Sequence, residues 1–146
     1  MHSITLRFLA ACGAPPASGR IQGGTVLFWM DEAGQACASA WERSACVTAF
    51  VSGAGFLRPI LPGDLVEVQA RLAYTGSSSM SVAMELRAGS IQGRELQPVT
   101  HCVAVYVAVD DEGQPRAVDA WTPETPGDIA LAQRVKGHID VARAAQ

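Results

Sequence analysis

The chain contains no asparagine, and charge is scarce: Asp, Glu, Lys and Arg make up 17% of the 146 residues, against 49% apolar ones. So little charge implies surface covered in an oligomer as well as a core. Positive charge is not in excess. The formal net charge is -3, which leaves no electrostatic footprint for nucleic acid. No basic amphipathic stretch argues for a membrane surface, and no apolar run approaches the roughly 18 residues of a membrane span. The four cysteines, Cys12, Cys37, Cys46 and Cys102, form no C-x-x-C pair, which argues against zinc and thioredoxin-like redox sites. They suit small buried hydrophobes in a reducing compartment, so a cytoplasmic location is expected. Phe8 to Cys12 (FLAAC) imitates a lipid-anchor cleavage site, but Arg7 interrupts the apolar stretch before it. His2, His101 and His138 are scattered, with no metal-ligand spacing and no Ser-His-Asp or Cys-His arrangement. No metal is expected, and His101 reads as a core or interface residue.

What is there begins with a strand. His2 to Ala10 alternates Ile4, Leu6 and Phe8 with Ser3, Thr5 and Arg7. After a Gly/Pro/Ser loop, Gly23 to Trp41 (GGTVLFWMDEAGQACASAW) reads as a long helix. Its large residues Val26, Leu27, Phe28, Trp29 and Met30 cover most of the circumference, as in a central buried helix. Its small residues Ala33, Gly34, Ala36, Ala38 and Ala40 let a sheet approach closely. Four strand-like runs follow: Ala45 to Ser52, Leu65 to Tyr74, Met80 to Ala88 and Gln97 to Val109. The last is apolar on both faces and should be covered on both, one of them by a neighbouring subunit. Thr125 to Ala145 carries a moderate helical pattern. The short turns favour antiparallel pairing. The expected architecture is α+β, a curved antiparallel sheet wrapped around a long central helix plus a C-terminal helix. One domain over residues 1–146 is expected, with a core of about 2–118 and an extension over 119–146.

Two features of the helix could carry chemistry. Asp31 lies about two turns in, among apolar neighbours, where an uncompensated charge is costly. It is either an ion-paired structural acid or a reactive group. Gln35 shares its face, whereas Glu32 lies about 100° away and faces elsewhere. Gly23 and Gly24 open the helix. They are either a tight turn or a source of free N–H groups for a developing oxyanion. Ser77, Ser78 and Ser79 read as turn residues, or as hydroxyls for a phosphate or pantetheine group.

Four segments, RIQGGTVLFWMDEAG (Arg20 to Gly34), VTAFVSGAGFLRPILPGD (Val47 to Asp64), TGSSSMSVAMEL (Thr75 to Leu86) and YVAVDDEGQPRAV (Tyr106 to Val118), resemble the hotdog-fold acyl-CoA thioesterases of the acyl-CoA hydrolase branch. They occur in that family's order and spacing. The resemblance implies hydrolysis of a fatty acyl-CoA to free acid and CoA. It implies that Asp31 acts as general base on water or as nucleophile, and that the Gly24 amide polarises the thioester carbonyl. Ser77, Ser78, Ser79 and Gly23, with Arg58 as phosphate partner, fall where the family contacts CoA; Arg58 otherwise reads as an ordinary surface or interface ion pair. No cofactor is implied, CoA being part of the substrate. Active sites are expected between subunits of a homo-oligomer, with a dimer as the minimum and a hexamer favoured. Phe28, Phe56 and Met80 are candidate tunnel residues.

The chain departs from the family pattern in places. Pro16 stands where this branch often has Asn, and a family acid near Ser52 and a Thr near Gly55 are absent. These departures support, as an alternative, a non-catalytic acyl-CoA-binding sensor of the same fold. A hotdog enoyl-CoA hydratase is a second alternative, disfavoured because no His lies between His2 and His101.

Overall fold

A computed structural model of the chain describes residues 2–10, 19–93 and 95–145. Cys12 and Pro16 lie outside the described residues. The elements are β1 (Ser3–Leu9), α1 (Gly23–Glu42), β2 (Cys46–Ser52), β3 (Leu65–Thr75), β4 (Ser79–Gly89), β5 (Gln97–Ala108) and α2 (Pro126–Ala144). The strands form one antiparallel sheet in the order β1-β3-β4-β5-β2, so β1 and β2 are its edges. This is the sheet-around-helix hotdog arrangement.

Alternation along the strands makes two faces. Val66, Val68, Ala70 and Leu72 of β3, Val82, Met84 and Leu86 of β4, and Cys102, Ala104 and Tyr106 of β5 point inward and are buried. Against them α1 lays Val26, Met30, Ala33, Gly34, Cys37 and Ala38, a stripe spaced by threes and fours. Arg43, in the left-handed conformation at φ 59°, ends the helix by donating its N–H to Ser39 O at 2.6 Å.

The outer face is covered by the chain itself. Leu131, Val135 and Ile139, one turn apart on α2, pack with Ala73 and Val105 beside Phe50, Tyr74, Ala83 and Val103. The Thr125 side chain caps α2 by accepting from Asp128 N, and Arg71 of β3 pairs with Asp128 at 2.9 Å. The apolar outer face of β5 meets α2 through Val105 and Val103. Of the two readings of His101, core or interface, the core one fails, since His101 is exposed on that face. Apolar exposure lies elsewhere. Leu27 and Phe28 are 38% and 59% exposed on α1, so that helix is not buried all round, and Val47 and Val51 of the β2 edge are about half exposed.

Candidate active site

Asp31 sits half-buried where α1 crosses β5 and β2, while Glu32 is exposed on another side of the helix. Side chains from β5 and β2 converge on it, and a third supports them. Tyr106 Oη donates to Asp31 Oδ1 at 2.9 Å, and Thr48 Oγ1 donates to the same oxygen at 3.0 Å. Gln35 Nε2, one turn further along α1, donates to Thr48 Oγ1 at 3.0 Å. Tyr106 has no exposed surface. Burial first, and the neighbouring Asp31 carboxylate second, push its phenol pKa far above the ordinary value, so the hydroxyl stays a proton donor. Burial likewise raises the Cys102 thiol to about 11, with a smaller contribution from Asp31.

The helix start is open. Gln22 supplies no side-chain cap, and the described residues offer no acceptor to the N–H of Gly23 or Gly24. A Cβ built on Gly24 would meet nothing within 4 Å. Gly24 and Asp31 lie seven residues apart, which is two turns less about 20°; they share one side of the helix but stand about 10 Å apart along it.

Gly23 and Arg58 are brought together. With Ile21, Val26, Phe56 and Ile60 they line a cavity of about 370 Å³ beneath the start of α1. The serine run is not with them. Ser77 O accepts from Val118 N and Ser78 O from Ala108 N, each at 3.0 Å, and the segment that follows Val118 meets the far end of α1, where Trp41 Nε1 donates to Asp119 O at 2.9 Å. Within one protomer Arg58 and Ser77, Ser78 and Ser79 thus flank opposite ends of a helix about 30 Å long. A second cavity, about 430 Å³, opens between α2 and the outer face of the sheet, on the other side from α1; its larger volume does not make it the reactive centre. Among the described residues no cluster of three metal-ligating side chains occurs.

Sequence reasoning missed Tyr106 and Thr48. Tyr106 lies in an apolar strand 75 residues from Asp31, with nothing local to mark it. The threonine sought near Gly55 is absent, but Thr48 supplies a hydroxyl to the acid from β2. The signal that could have found Tyr106 is Gly34, one turn beyond Asp31, where a Cβ would overlap the Tyr106 hydroxyl.

Residues 18–93 match the family model of the thioesterase superfamily. The chain is 35% identical over 118 residues to the acyl-CoA thioester hydrolase YciA of Escherichia coli strain K12, covering 79% of this chain and 89% of that protein. The YciA protein of Salmonella typhimurium is 34% identical over 116 residues, 77% and 87% of the two chains. Among solved structures, a hexameric acyl-CoA thioesterase superposes with a TM-score of 0.89 at 25% identity, over 98% of this chain and 92% of that one. The hexameric thioesterase y2039 of Yersinia pestis gives 0.74 at 36% identity, over 80% and 94%.

Proposed function

This chain belongs to the thioesterase superfamily, and from that premise we propose that it is an acyl-CoA thioester hydrolase acting through Asp31. Water adds to the thioester carbonyl, the C–S bond breaks, and the products are a carboxylic acid and CoA thiol. Asp31 takes the proton of the attacking water, or attacks first to give a mixed anhydride that water opens. The Gly24 N–H, at an uncapped helix start, donates to the carbonyl oxygen as negative charge develops on it. The reaction needs no cofactor; CoA enters as part of the substrate.

The observation that carries this reading is a half-buried carboxylate held by two hydroxyls, one turn from the contact between Gly34 and Tyr106. Among the described residues no cation pairs with Asp31.

A second subunit completes the site in this proposal. Gly24 and Asp31 stand about 10 Å apart along one helix, and in this proposal each substrate takes its amide from one protomer and its carboxylate from the other. The half-exposed Val47 and Val51 on the open β2 edge, with Leu27 and Phe28, supply an apolar surface for that contact. The hexameric relatives favour a homo-oligomer, with a hexamer built from such dimers. Gly23, Arg58 and the Ser77, Ser78 and Ser79 hydroxyls, at opposite ends of one helix, contact CoA as contributions from different chains. Among the described residues the free thiols Cys37, Cys46 and Cys102 suit a cytoplasmic setting. No described helix is long and apolar enough to cross a membrane.

The test incubates the parent and an Asp31→Ala variant with a panel of acyl-CoAs and follows thiol release. Hydrolysis by the parent with at least a hundredfold loss in the variant is expected. A variant as fast as the parent removes Asp31 from the chemistry. An inert parent that retains CoA favours the sensor, and hydration of crotonyl-CoA without thiol release favours the hydratase.

A further inference from the structure

The two oxygens of Asp31 are not equivalent. Oδ1 accepts two hydrogen bonds, from Tyr106 and Thr48. Oδ2 has no partner among the described residues, yet it is not one of their buried unpartnered atoms, so a water-sized group can reach it. We infer that Tyr106 is a positioning residue for the hydrolysis: together with Thr48 it fixes Oδ1 and leaves Oδ2 as the oxygen that reacts. The inference rests on the reading of Asp31 given above.

Donor directions support it. A hydroxyl carries one proton. Thr48 Oγ1 already accepts from Gln35 Nε2, so its own proton goes to Asp31 Oδ1. Tyr106 Oη has three acceptors in range: Asp31 Oδ1 at 2.9 Å, the Asp31 carbonyl at 3.4 Å and Met84 Sδ at 3.9 Å. The carboxylate is the nearest and the only charged one, so it takes the proton. Two donors on one oxygen stop the carboxyl group from rotating about its Cβ–Cγ bond. The free oxygen is then aimed before substrate arrives, which is where positional precision helps a reaction most.

The bland reading is that a buried phenol merely needs a partner. The main-chain carbonyl of Asp31 is close by and could serve that need alone. The hydroxyl instead lies nearest the carboxylate, in a space that exists only because residue 34 is glycine. The two readings differ in what the hydroxyl controls, stability or turnover.

The experiment uses the acyl-CoA that the parent hydrolyses fastest. Tyr106→Phe keeps the ring and removes the donor. Expected is a kcat lower by about 10- to 100-fold, with KM within about twofold and an unchanged far-UV spectrum. Thr48→Val, on an exposed edge, should lower kcat in the same way, and Thr48→Ser should restore it. Tyr106→Phe turning over at the parental kcat, or changing KM alone, overturns the inference. If that variant does not fold, the threonine pair decides: Thr48→Val at full kcat overturns it. Asp31→Ala at full activity sinks the underlying reading instead, whereas an inactive Asp31→Ala beside a fully active Tyr106→Phe sinks only this inference.

Discussion

Gly34 and Tyr106 face each other with no room for a methyl group. A Cβ on Gly34 would overlap the Tyr106 hydroxyl and lie 2.7 Å from both Met84 Sδ and Tyr106 Cζ. The glycine lets a buried strand bring a phenol up to an acid on the helix.

Gly34→Ala sets two effects against each other. Alanine is the better helix former by about 1 kcal/mol. Overpacking a close contact costs about 1–3 kcal/mol, and the Tyr106 ring is walled in on every side with no exposed surface. The steric cost should win. Urea unfolding is expected to show a net loss of about 1–2 kcal/mol, and thiol release should slow as Tyr106 leaves Asp31. A variant as stable and as active as the parent would contradict this packing.

Lysine at both Val47 and Val51 places charge on the half-exposed apolar edge of β2. The Val47→Lys, Val51→Lys chain should sediment as a smaller species with its far-UV spectrum intact. Hydrolysis should be lost with assembly if, as proposed, Gly24 and Asp31 serving one substrate come from different chains. Full activity in a monomer would refute the shared site.

Ile139→Ala removes a side chain that is 1% exposed between α2 and the sheet. The expected loss is about 2–4 kcal/mol by urea unfolding. Turnover per folded molecule should hardly change, since α2 lies on the opposite face from α1 and Asp31. A large fall in kcat of the folded variant would mean that α2 matters to the chemistry.

Stability should fall in alkali. Burial lifts the Cys37 and Cys102 thiols from the ordinary 9.0 to about 11. Below pH 9 these thiols are protonated in folded and unfolded chains alike, and no penalty arises. Between about pH 9 and 11 the unfolded chain loses these protons first and is favoured. Each thiol then costs on the order of 2 kcal/mol by pH 11. Urea midpoints measured from pH 8 to 11 should decline, and less steeply in a Cys37→Ala, Cys102→Ala variant. Equal slopes would mean that these thiols are not desolvated.

The element order was readable because periodicity is local. Val66, Val68, Ala70 and Leu72 alternate as a strand with one buried face must, and Val26, Met30, Ala33 and Cys37 recur at helical spacing. The α1 residues Leu27 and Phe28 show the limit of that reading. An all-round apolar helix looks the same in sequence whether its outer side meets the same chain or another one, and here that side is exposed in the protomer. The same ambiguity holds for β5, whose second face meets the chain's own α2 at Val105 and Val103.

The amino-acid sequence by itself determined that a carboxylate would stand in an apolar helix behind two glycines, because helical spacing follows from backbone geometry alone. Only the tertiary structure decided what holds that carboxylate. Tyr106 and Thr48 reach Asp31 through the register of β5 against β2 and the crossing of α1 over both. Such contacts depend on pairing between residues 17 and 75 positions away, which no local pattern encodes. The separation of Arg58 from Ser77, Ser78 and Ser79 was decided at the same level, since a rigid helix of 20 residues keeps its two ends apart.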